Sequence, residues 1–149
     1  MVTPLHSASI LHDILQRMEA TCRKLEHVVL EEQKAVHLFD TEALIRLTKI
    51  RHDCHQELQE LETACRDVVR QYDFPDDMSL EAFIDVYLQD AAPGLQALRR
   101  KLYQRLAGLN RSNEDNRLRL RAAYDVTSGV LQNIGLLKSK STYGPGGAL

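Results

Sequence analysis

The chain has 149 residues, room for one domain, with 8 aromatic residues, 23 leucines, no tryptophan and 3 cysteines. Its formal net charge of −2 conceals a division: residues 1–90 hold 18 of the 21 acids and 9 of the 19 bases, a balance of −9, while residues 91–149 hold 3 acids and 10 bases, a balance of +7. Few aromatics and many leucines point to helices joined through aliphatic seams, the apolar runs are too short for a bilayer span or a secretory leader, and the odd, widely spaced cysteines do not suit a disulfide framework, so a cytoplasmic protein with reduced thiols is expected.

No glycine precedes Gly94 and no proline lies between Pro4 and Pro75, so the first half lacks strong helix breakers. Two heptad stripes run through it. The first passes Leu11, Leu15, Met18, Cys22, Leu25, Val29, Glu32 and Val36; the second passes Leu44, Leu47, Arg51, Cys54, Leu58, Leu61, Cys65, Val68 and Tyr72. Each contains one charged exception, Glu32 or Arg51. Two such stripes around a break at Phe39-Asp40-Thr41-Glu42 predict an antiparallel hairpin over about 9–38 and 41–73, with Asp40 capping the second helix. Pro75 ends that helix, and Ser79 opens a short one over 80–89, whose Leu80, Phe83, Ile84, Tyr87 and Leu88 form a lid.

A last helix is predicted over about 91–138, because the heptad phase of Leu95, Leu102 and Leu109 continues through Asn116, Ala123, Val130 and Leu137 despite the asparagines. At 1.5 Å per residue such a helix reaches roughly 72 Å, longer than a hairpin of about 50 Å. Its final apolar residues then lack a cover in their own chain, which invites a partner. Residues 139–149, rich in serine and glycine, read as a flexible tail. The fold expected is all-α: an elongated antiparallel hairpin or coiled coil with a short helix and a long C-terminal helix, a bundle of three to four helices in one domain.

Chemistry is sparsely signalled. His52, Cys54 and His55 have residue types that bind metals, but Cys54 is also a stripe position, and free cysteine is commonly a small buried hydrophobe. No phosphate loop or nucleophile elbow occurs, and the expectation is no enzyme, no cofactor and no metal. Arg117, Arg119 and Arg121, with Arg99, Arg100, Lys101 and Arg105 upstream, resemble a phosphate-tracking face, yet few aromatics accompany them and no nucleic-acid reader motif is present. A basic face lying against the acidic hairpin is the better reading. Asn113 and Asn116 fall either in a seam, where they set register, or at a solvated gap.

The hairpin with its turn Asp40-Thr41-Glu42-Ala43-Leu44, the pair Asn113 and Asn116, and the closing Tyr143-Gly144-Pro145-Gly146-Gly147 together resemble the FlgN family of flagellar export chaperones. The resemblance covers nearly the whole chain. It implies a cytoplasmic chaperone of the hook-associated proteins FlgK and FlgL that holds their terminal helices, prevents premature assembly and brings them to the export gate protein FlhA. Clients would lie along the C-terminal helix, on Leu120, Ala123, Tyr124, Val130, Leu131, Ile134 and Leu137. Tyr143 and Gly144 would dock the gate. Neither nucleic acid nor stable membrane insertion is implied; the competing expectation is a structural coiled coil that self-associates through its C-terminal helix, a route equally open to an empty chaperone.

Overall fold

The computed structural model describes residues 3–73, 75 and 79–133, with side chains in the last helix described as far as residue 118 and at Arg121. Within these residues the chain forms α1 (Pro4–His37), α2 (Thr41–Arg70), α3 (Leu80–Tyr87), a 3₁₀ turn (Gln89–Ala91) and α4 (Ala92–Asn133), with no strand.

Local chemistry explains the boundaries. The heptad stripe suggests a start near residue 9, but α1 begins at Pro4. Thr3 Oγ1 accepts a hydrogen bond from the His6 amide at 3.3 Å, and proline suits the first turn because its missing N–H would have no helical acceptor there. At the other end, the Asp40 amide donates to the Ala35 carbonyl at 2.8 Å and the Phe39 amide to that of Val36 at 3.2 Å. This is a Schellman stop, with Phe39 at φ 51° in the place usually held by glycine. Left-handed backbone at a residue with a Cβ costs about 1–2 kcal/mol. Asp40 then opens α2, its Oδ1 accepting from the Ala43 amide at 3.1 Å, and Ser79 opens α3 in the same way through Ala82 at 3.2 Å.

The helices α1 and α2, 34 and 30 residues long, pack as an antiparallel hairpin. Partners on α4 set its direction: Lys101 and Arg105 meet Glu19, and Asn116 meets Val29 and Glu32, so α4 climbs the hairpin in the same sense as α1. Leu95, Leu102 and Leu109 of α4 share one core with Leu11, Leu15, Cys22, Leu25 and Val29 of α1 and Cys54 of α2. At the lower end α3 closes that core with Phe83 and Ile84, both fully buried. Phe83 packs edge-on to Tyr72, ring centroids 5.2 Å apart, and the Tyr72 hydroxyl donates to Ser7 Oγ at 2.9 Å. Two smaller clusters, Ile14, Leu61 and Val68, and Val28, Ala35 and Leu47, hold α1 and α2 together without help from α4.

The two charge halves meet. Arg105 spans Glu19 at 3.2 Å and Glu26 at 2.7 Å, Lys101 reaches Glu19 at 3.2 Å, and Arg99 reaches Glu81 of α3 at 3.5 Å. Burial acts to raise the pKa of Glu19, but the Lys101 ammonium and the Arg23 guanidinium outweigh it and hold the carboxyl below its ordinary value.

Candidate functional site: a polar layer and the far end of the long helix

The polar exceptions of the heptad stripes converge. Glu32 of α1, Arg51 of α2 and Asn113 and Asn116 of α4 form one layer across three helices. The Arg51 guanidinium donates to both carboxylate oxygens of Glu32, through Nε to Oε2 at 3.1 Å and through Nη2 to Oε1, and its Nη1 donates to Asn113 Oδ1 at 2.7 Å. Asn116 Nδ2 donates to the Val29 carbonyl at 3.2 Å and approaches Glu32 Oε1 at 3.5 Å. The asparagine pair therefore lies in the seam and not at a solvated gap.

One atom in the layer is unsatisfied. Asn116 is 3 % exposed, and its Oδ1 has no hydrogen-bond donor. A buried acceptor without a donor costs about 1–3 kcal/mol. The residue thus exchanges stability for a contact that only one alignment of α4 on α1 can form. The sequence shows these polar residues singly.

Above this layer α4 outlasts the hairpin. Asn116 sits opposite Val29 and Glu32, and α1 ends at His37, whereas α4 continues as helix to Asn133. At the common rise per residue, α4 holds about ten more residues, or 15 Å, than α1 retains beyond that level. Leu120, Ala123, Tyr124, Val130 and Leu131 fall on this helical stretch, with side chains outside the description; Ile134, Leu137, Tyr143 and Gly144 lie outside the described residues. Leu118, where side chains are still described, is 53 % exposed.

The remaining candidates do not assemble into a reactive centre. His52 and His55 are exposed on α2 while Cys54 points into the core, and among the described residues no three of His, Cys, Asp and Glu gather to hold a metal ion. Burial pushes the thiols of Cys22 and Cys65 up to about 11 and raises that of Cys54, keeping them protonated and poorly nucleophilic at neutral pH. Burial, with Arg51 next, lowers the pKa of His55. Of the basic face, Arg99, Lys101 and Arg105 are engaged by acids of the hairpin and α3, and so are spent on packing.

A three-helix seam with a polar layer is common to many bundles, so family membership needs the whole sequence. The sequence model of the family described as FlgN protein matches residues 1–149. The chain belongs to the FlgN family. FlgN proteins are flagellar export chaperones and not an enzyme family, and membership implies binding of flagellar export substrates. No curated protein and no solved structure is significantly similar to the chain. Among the described residues no helix is long and apolar enough to cross a membrane. Within this FlgN chain the asparagine pair is a packing element that ties α4 to both arms of the hairpin.

Proposed function

We propose that this FlgN protein works in the cytoplasm, holds the terminal helices of the hook-associated proteins FlgK and FlgL on the far part of α4, and brings them to the export gate protein FlhA. The observation that carries this reading is the continuation of α4 as helix to Asn133, well past the level at which α1 ends. An amphipathic client helix would lie along the stripe of Leu120, Ala123, Tyr124, Val130, Leu131, Ile134 and Leu137, burying apolar surface that from about Tyr124 onward the hairpin is too short to reach. Arg117, Arg119 and Arg121 flank the start of this stripe and would orient an acidic client segment or speed its capture. Tyr143 and Gly144 would serve gate docking.

The polar layer supports the reading from below. It anchors α4 at Asn113 and Asn116, so the client stripe projects from a helix whose register is already set. Pull-down of terminal FlgK and FlgL peptides by the full chain and by a chain ending at residue 117 tests the site. Capture by the full chain and loss in the truncation, with hairpin helicity retained, is expected; capture by the truncation would place the site elsewhere. Tyr143→Ala should bind clients normally and the FlhA cytoplasmic domain weakly, and undiminished gate binding would remove that role.

A further inference from the structure

The face of the hairpin turned away from α4 carries two grooves placed end to end. On α2, Arg46, Ile50, Asp53, Glu57 and Glu60 recur at intervals of three and four residues and so share one stripe, distinct from that of Arg51, which reaches α4. The groove nearer the turn lies over Val28 and Leu47 and is rimmed by Arg23, Lys24 and Arg46 against one carboxylate, Glu31. The groove farther from the turn lies over Leu61 and is rimmed by Asp53, Glu57 and Glu60 against one cation, Arg17. Both floors belong to the clusters in which α4 takes no part. The grooves are equal in size, about 590 Å³ each.

Most of their charges are unpaired among the described residues. Arg23 pairs with Glu19, Glu31 with Lys34, and Arg17 with Asp13. Lys24 and Arg46 at one end, and Asp53, Glu57 and Glu60 at the other, make no salt bridge among the described residues.

We propose that this face is the interface for a second copy of the chain, two hairpins packed back to back and antiparallel about a two-fold axis. A two-fold interface must be self-complementary, each patch meeting a different patch of the same surface. The groove centres lie about ten residues apart along α2, roughly 15 Å. An axis midway between them sets each basic groove on the partner's acidic groove and forms the charged contact twice. Ile50, 40 % exposed at the inner edge of the basic groove, then lies near the axis and supplies apolar contact. An acidic helix from another protein would match the basic groove alone and be repelled by its neighbour; a second copy satisfies both. The dimer leaves α4 on the outside of each copy, so it is independent of the client reading.

The test is the mass of the full chain by sedimentation across concentration and ionic strength. A dimer that weakens as salt screens the contact is expected. The charge reversals K24E/R46E and E57K/E60K should each weaken it at least tenfold, with helicity by circular dichroism unchanged. Mixed one to one, the two variants should associate with each other to within a few-fold of the unaltered affinity, because reversal on both sides restores every contact. Should E57K/E60K lose helicity, D53K/E60K takes its place. A chain that stays monomeric at all concentrations in low salt, a dimer indifferent to both reversals, as one joined through α4 would be, or a mixture that fails to associate would each overturn the proposal. So would a monomeric chain that captures an acidic amphipathic peptide in its basic groove.

Discussion

Along its course α4 meets the hairpin through two different chemistries. Up to Leu109 the contact is aliphatic, with Leu95, Leu102 and Leu109 set among leucines and valine of α1 and charges kept to the rim. Beyond it the contact is polar, with Asn113 and Asn116 engaging Glu32, Arg51 and the Val29 carbonyl. Leucine seams supply stability but tolerate a slip of one heptad, since leucine then meets leucine again. The polar layer does not tolerate it: the same slip brings Leu109 against the Glu32–Arg51 pair and carries Asn116 out of reach of its acceptor. One region holds α4 and the other aligns it.

Shortening the aliphatic region should have the largest effect. Leu102→Ala is expected to cost about 3 kcal/mol in chemical denaturation, because its cavity lies between helices that cannot close independently. A cost below 1 kcal/mol would mean that the seam is not the main source of stability. In the polar layer, Arg51→Met strands the Glu32 carboxylate, whose side chain is 8 % exposed, without its counter-charge. Arg51 is itself 20 % exposed, so solvent screens part of the loss, and the expected cost is about 2 kcal/mol. Adding Glu32→Met should recover most of it. Failure of the double variant to recover would show that the pair contributes through packing and not through charge.

Asn116→Leu should act in the opposite direction. It removes a buried acceptor that has no donor, at the loss of a hydrogen bond to the Val29 carbonyl and a long one, 3.5 Å, to Glu32, and stability should rise by about 1 kcal/mol. Alignment should suffer as stability improves, visible as more than one set of amide resonances in α4. A single set together with lower stability would assign Asn116 to holding and not to aligning.

The two chemistries were unequally legible in the sequence. Eight or nine stripe positions per arm at a steady interval leave no alternative to a helical hairpin, and the phase of Leu95, Leu102 and Leu109 carries α4 through three asparagines as one helix. The start at Pro4 is less visible, since nothing in the stripe precedes Leu11 and the signal is a single Thr-Pro step. Phe39 in a left-handed turn cannot be read at all, because phenylalanine carries no local preference for that geometry. The polar layer is intermediate: each exception stands out in its own stripe, but their meeting depends on how three helices align. The apolar spacing of the proposed client stripe is legible, whereas the occupant proposed for it rests on the family resemblance alone.

A smaller effect separates charge at the rim from charge in the layer. Glu19 collects Lys101, Arg105 and Arg23 beside the aliphatic seam, and its pKa is held below the ordinary 4.5 against the opposing effect of burial. A carboxylate whose folded pKa is depressed contributes stability that is present above its unfolded pKa and is lost as pH falls through the folded value. Glu19→Gln should therefore cost about 1 kcal/mol at pH 7, and the difference from the unaltered chain should shrink to nothing in acid. Lys101 and Arg23 are more than half exposed, so salt should erode the same difference. The Arg51→Met cost should be less sensitive to salt, because Glu32 and Arg51 are much less exposed than Lys101 and Arg23. Equal sensitivity of the two variants to salt would show that rim and layer share one electrostatic environment, and the division of α4 into a holding and an aligning region would then rest on the leucines alone.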